Sequence, residues 1–207
     1  MKNIAIFFFS LFFTLTTSSC DNKKINKDAW EWDIVNKTVV NKDLNLKWDL
    51  SDFEWIVADK EAMPDNMVFC AKCQEGVALS IIELPQDEEV TNVWKESDEF
   101  LKGLISSISS QEGIFPGIRN EDIQSEKCYF LFKKALKISV INEIKDARID
   151  TGSLTLLETG YLFIKDKTPI VIMLMMPYNF VIEGGEEIVN YFFNSFSYIN
   201  ASAELKN

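Results

Sequence analysis

Histidine is absent from the 207 residues. That removes imidazole general bases, Ser-His-Asp and Cys-His nucleophile systems, and metal sites that need imidazole. Basic side chains are scarce: 21 Lys and Arg stand against 32 Asp and Glu, a formal net charge of -11. A nucleic acid held by counterion release therefore has no basic footprint to hold it. Long apolar runs are missing beyond the N-terminus. The longest later one, Ile170 to Met176, stops at Pro177 and suits a buried strand, far short of the roughly 20 residues a helix needs to cross a bilayer. What is present, 47% hydrophobic and 26% charged residues, is close to a globular average and excludes collagen-like, low-complexity and wholly disordered chains. The length fits one ordinary domain with appendages.

The N-terminus carries the strongest local signal. Lys2 precedes an apolar run from Ile4 to Leu15, broken only by Ser10 and Thr14, which is a signal-peptide pattern and too short for a permanent span. Thr16, Thr17, Ser18, Ser19 and Cys20 follow, then Asp21, Asn22, Lys23 and Lys24. This stretch resembles a bacterial lipoprotein signal of the Bacteroidetes type. The resemblance implies cleavage after Ser19, acylation of Cys20 by palmitate-like chains, and a lipid-anchored place in the cell envelope at the outer membrane, periplasmic or surface-exposed. Thr17 occupies the position where that pattern commonly has Leu, and Thr17 with Ser19 also suits ordinary secretory cleavage that would leave Cys20 a plain thiol. Loss of residues 1–19 takes away Lys2 and no acid. The exported part is thus acidic, is expected to hold the membrane through its lipid alone, and electrostatically favours a basic protein partner.

Residues 20–43 read as a polar tether rich in Asn, Lys and Asp. Trp30 and Trp32 alternate with Glu31 and Asp33, so a short strand docked on the domain is the alternative. Period-two alternation begins at Leu44, Leu46, Trp48 and Leu50 and continues over 53–57. Runs at 67–71 and 77–84 flank Gly76, a hairpin signature with glycine in the left-handed position. Thr91 is a cap for a helix whose stripe is Trp94, Ser97, Leu101, Leu104, Ile105 and Ile108. Strands are expected over about 118–124, 127–144, 153–165 and 169–176, with Lys165-Asp166-Lys167 as a hairpin turn. A last helix is expected over 186–196, beginning after Gly184-Gly185, and a polar tail from 199. The expected fold class is α+β, an antiparallel sheet packed with two main helices, because the connections are too short for parallel crossovers.

The order of these elements over 44–198 resembles the PsbP-like superfamily, which includes DcrB-type bacterial proteins. The resemblance rests on Trp55 after the first strand, on Val68-Phe69-Cys70-Ala71 paired with Ala78-Leu79-Ser80-Ile81, and on the closing run from Ile188 to Phe196. It implies a non-catalytic accessory, scaffold or chaperone-like role and carries over no functional residue. Where plant relatives are thought to use histidine for metal, this chain has none.

Several constellations hold candidate chemistry. Cys70-Ala71-Lys72-Cys73 has the spacing of a redox dithiol, and Cys128 is a further mature cysteine. A structural disulfide, three unpaired thiols and thiol-disulfide redox activity are the three readings. Asp150-Thr151-Gly152-Ser153 spells the aspartic-protease signature, yet that chemistry needs two such carboxylates and one copy is present, so a turn is expected. Met173, Met175 and Met176 are soft donors for cuprous ion or, more simply, core side chains. Asp87-Glu88-Glu89 lacks the spaced ligands of a calcium loop, and Gly184-Gly185 is flanked by Glu183, Glu186 and Glu187, which repel phosphate. No catalysis, cofactor or metal is expected. The sequence reads as an anchored binding or accessory module, with a redox carrier or an acidic neutraliser of a basic partner as alternatives.

Overall fold

The computed structural model describes residues 25–63, 65, 67–73, 76–84, 92–95, 123–145 and 153–201. Strands β1 (Trp30–Asp33), β2 (Thr38–Asn41) and β3 (Leu46–Asp49) form an antiparallel sheet closed by β11 (Phe196–Tyr198), in the order β1-β2-β3-β11. The larger sheet contains β4 (Trp55–Val57), β5 (Met67–Cys73), β6 (Ala78–Glu83), β7 (Ile123–Phe130), β8 (Lys133–Lys145), β9 (Ser153–Lys165) and β10 (Thr168–Pro177). Its order is β4-β5-β6-β10-β9-β8-β7, antiparallel throughout. One helix, α1 (Tyr178–Asn194), follows directly from β10.

The small sheet and α1 cover the same face of the large sheet. Trp30, Leu46 and Trp48 from the small sheet, Phe69, Ile81, Phe163 and Ile172 from the large one, and Phe192 and Phe193 from α1 share one buried core. Aromatic rings dominate the join: Phe130 stacks on Tyr161 with centroids 4.4 Å apart, and Phe193 meets Tyr161 edge-on at 4.8 Å. Burying each such ring contributes on the order of 2–3 kcal/mol. Trp48 lies where the strands meet the helix end, its indole N–H donating to the Phe192 carbonyl at 2.9 Å and the Ser195 hydroxyl at 3.0 Å. On the opposite face of the large sheet a smaller cluster joins Leu136, Ile138 and Leu162 to Val93.

The expected single sheet with two main helices is corrected on both counts. The described residues make two stacked antiparallel sheets and one α-helix. Part of the stretch expected as a tether is folded: β1 alternates apolar and polar positions, and Trp30 of β1 and Val39 of β2 enter the core. The described start of the expected helix from Thr91, residues 92–95, is a turn in which the Asn92 side chain accepts from the Trp94 N–H at 3.1 Å. The rest of that helix lies outside the described residues. The last helix starts eight residues ahead of expectation: Pro177 serves as N-cap, and Gly184-Gly185 sits inside the helix. Phe196 belongs to β11, paired with Trp48, instead of to the helix face.

The expected hairpin of β5 and β6 has Gly76 at φ +83°, in the left-handed region glycine favours. The expected strand over 127–144 is two strands. They are separated by Leu131 and Phe132, both with positive φ, in a two-residue turn that ordinarily takes Asn-Gly.

Candidate functional site

Strand β5 runs through both Cys70 and Cys73, and residues three apart on a strand point to opposite faces. Cys73 enters the core between the sheets, whereas Cys70 lies on the other face, opposite Ser80 of β6. Cys128 sits on β7, five strand spacings from β5, or about 24 Å. A disulfide needs Cα atoms within about 7 Å, and none of Cys70, Cys73 and Cys128 is disulfide-bonded. Burial pushes the Cys70 thiol up to about 11 despite the nearby Lys72 ammonium, and burial also raises Cys128. Neither thiol has the thiolate character of a redox nucleophile. The disulfide and dithiol readings of Cys70 and Cys73 therefore fail on geometry, and among the described residues Cys128 has no cysteine within reach.

The methionines separate as strand alternation requires. Met176 is in the inter-sheet core, while Met173 and Met175 lie on the opposite face. Met173 Sδ occupies the space where a Cβ on Gly160 would be, with the Ile172 carbonyl beside it. The thioether thus fills a gap that glycine leaves, which is a packing role. Among the described residues, no group of three Cys, Asp or Glu is placed to hold a metal ion. Cys20, Asp87-Glu88-Glu89 and Asp150-Thr151-Gly152 lie outside the described residues, and Ser153 begins β9. Gly184-Gly185 is interior to α1 and so is no helix N-terminus.

Two features were missed by sequence reasoning. The first is a buried carboxyl, Glu83 at the end of β6, which accepts the Trp30 indole N–H at 2.5 Å. Burial raises the Glu83 carboxyl and the indole bond opposes that rise. This bond joins the first strand of the small sheet to the centre of the large one. Only the apolar neighbours of Glu83 in sequence hinted that it would be buried.

The second is the end of the domain at which the folded chain begins. Ile25 packs on the core, and Lys27 Nζ donates to the carbonyls of Met63 at 2.8 Å and Lys60 at 3.4 Å. The contact of Trp30 with Glu83 places this entry beside the C-terminal end of β6. The antiparallel register brings the Leu131-Phe132 and Asp166-Lys167 turns to that same end. Tyr198 of β11 donates its hydroxyl to the Leu131 carbonyl at 2.8 Å, fastening the turn to the small sheet. Phe132 is 81% exposed and Tyr129 66% exposed. Beside them Trp94 meets Tyr129 edge-on at 5.0 Å, and Lys134 Nζ stands 5.1 Å from the Trp94 ring centre. No helix among the described residues is long and apolar enough to cross a membrane.

The two stacked antiparallel sheets and the C-terminal helix make a domain of PsbP-like fold. The solution structure of cyanobacterial PsbP (CyanoP) from Synechocystis sp. PCC 6803 is similar, with a TM-score of 0.52 at 11% identity, covering 87% of this chain and 98% of that one. At that identity the likeness shows the fold alone. No family model matches the sequence, and no curated protein matches it either.

Proposed function

We propose that the chain is an exported bacterial lipoprotein, acylated on Cys20 and held at the outer membrane of the cell envelope. Its PsbP-like domain would act there as a non-catalytic binding or accessory module for a protein partner. The observation that carries this reading is the run of Lys2, Ile4 to Leu15 and Cys20, followed within five residues by the first core side chain, Ile25. Each buried acyl CH₂ contributes about 0.8 kcal/mol, so more than one chain on Cys20 suffices to anchor an otherwise water-exposed domain. The dispersal of Cys70, Cys73 and Cys128 argues against the thiol-disulfide alternative. Growth of an expressing bacterium with an alkyne-tagged fatty acid tests the anchor. The full chain should carry the tag and enter the detergent phase on cloud-point partition, and Cys20→Ser should lose both properties. An untagged wild-type chain in the aqueous phase would overturn the reading.

A further inference from the structure

The distance between the anchor and the fold constrains how the domain sits. From Cys20 to Ile25 the chain advances five residues, which span at most about 18 Å whatever their conformation. An acylated Cys20 therefore keeps the entry end of the domain close to the bilayer. The domain has an exposed apolar turn at each end: Ile34 and Val35 between β1 and β2, 75% and 84% exposed, and Phe132 between β7 and β8. The short leash selects the second, because Ile25 and Phe132 share an end of the sheets. Four strand spacings, about 19 Å, separate β5 from β8 along that end.

Charge makes the same selection. The chain is acidic overall, yet from Glu126 to Lys134 it carries Lys127, Lys133 and Lys134 against the single acid Glu126. Lys167 lies exposed in the neighbouring turn beside Asp166. The rejected turn, by contrast, is flanked by Glu31 and Asp33, with Lys37 committed to Glu54 at 2.6 Å. Around the entry itself Lys27 and Lys60 are outnumbered by Asp28, Asp59, Glu61 and Asp65, so the positive charge of this end belongs to the hairpin. Bulky side chains also occupy a costly conformation there. Both Leu131 and Phe132 have left-handed backbone, which side chains other than glycine adopt at a cost, and the Tyr198 bond to the Leu131 carbonyl holds it. The result is an aromatic side chain presented to solvent by a braced turn among lysines, a combination suited to an anionic membrane interface.

We infer that this end of the domain docks on anionic lipid headgroups, with Phe132 entering the interface and Lys134 and Lys167 over the phosphates. The inference rests on acylation at Cys20 and departs from the expectation that an acidic chain touches the membrane through its lipid alone. Net charge does not govern contact when a few lysines are gathered at the face the leash presents. The occupant is the bilayer in which the anchor itself sits; a second copy of the chain and a protein partner are the competing occupants.

Hydrogen exchange read by mass spectrometry tests this on the full acylated protein, in phosphatidylcholine vesicles with and without phosphatidylglycerol. Exchange across 129–134 should slow several-fold on the phosphatidylglycerol vesicles, less on phosphatidylcholine alone, and not at all across 33–37. Phe132→Ser, an exposed site whose folding circular dichroism can verify, should remove the slowing while the protein still floats with vesicles. Flotation without slowing at 129–134, or with slowing at 33–37 instead, overturns the docking face and leaves acylation standing. Slowing that depends on protein concentration and needs no phosphatidylglycerol assigns the face to a second copy. Slowing seen only in native envelopes assigns it to a protein partner; both results overturn the inference. Failure to float removes the acyl anchor and the docking inference together.

Discussion

Replacing Trp30 by Phe deletes one hydrogen bond and leaves a buried carboxyl without its donor. The Trp30 Nε1 to Glu83 Oε1 bond is 2.5 Å long, and both side chains are buried between the sheets. A neutral hydrogen bond is worth about 1 kcal/mol net, and one to an ionised group about 1.5–3 kcal/mol. The cost of Trp30→Phe should therefore depend on the state of Glu83. Its folded value lies above the ordinary 4.5 because burial disfavours the carboxylate. The contribution of Glu83 to stability is consequently complete below about pH 4.5 and is lost as pH rises through the raised folded value. Without the indole that value climbs further, so the variant goes on losing stability over a pH interval in which the wild type has stopped losing it. Urea unfolding at pH 4.5 and pH 8 should show Trp30→Phe costing about 1–2 kcal/mol more at pH 8. At 2–4 °C per kcal/mol for a chain of this size, the melting temperature should fall by roughly 2–8 °C more at pH 8 than at pH 4.5. Glu83→Gln cannot ionise and should make the cost of Trp30→Phe equal at the two pH values. A cost independent of pH in the Glu83 background, or larger at pH 4.5, would refute the reasoning.

Gly160→Ala should destabilise the domain by about 1–3 kcal/mol or more, since its Cβ would fall on the Ile172 carbonyl of a paired strand and on Met173 Sδ, and backbone cannot turn aside. The urea midpoint measures this, and a change under about 0.5 kcal/mol, typical of an unconstrained surface site, would contradict the packing. The Cys70 thiol, pushed up to about 11 by burial, should resist iodoacetamide at pH 8 until denaturant is added, with labelling of folded protein rising only toward pH 11. Rapid labelling of Cys70 in the folded state at pH 8, or a reductant-sensitive intramolecular crosslink in the intact mass, would show the thiols to be placed otherwise.

Sequence patterning located most of the strands because the inner face of each carries apolar residues at alternate positions. Leu46 with Trp48 and Leu79 with Ile81 are such pairs, and Gly76 marked its turn by the conformation only glycine takes cheaply. The Leu131-Phe132 turn left no such mark. Two apolar residues in left-handed backbone look like the middle of a strand, so β7 and β8 read as one. The start of α1 was equally silent, since β10 passes through Pro177 into the helix with no polar cap. Partition into two sheets was illegible for another reason: β3 takes its second neighbour, β11, from about 150 residues away, and local periodicity does not report distant pairing. The thiols depended on a boundary. With the strand ending at Ala71, Cys70 and Cys73 could have faced each other across a turn; with β5 extended to Cys73, alternation separates them. The basic, aromatic end was hidden because residues from four turns and loops converge there only after folding.

The pairing of β11 with β3 bears on how the chain matures. Ser197 faces Lys47, and the Asn45 side-chain amide donates to the Asn200 carbonyl and accepts from the Asn200 N–H. The opening sheet thus lacks its last strand until nearly the whole polypeptide is available, and closing so large a loop is slow relative to local contacts. A chain secreted amino end first would pass through a translocation pore as an unlatched thread, unable to complete this sheet early and jam. The clasp would snap shut only after the carboxyl end had emerged, so trimming the final dozen residues should harm yield of folded product far more than their number suggests.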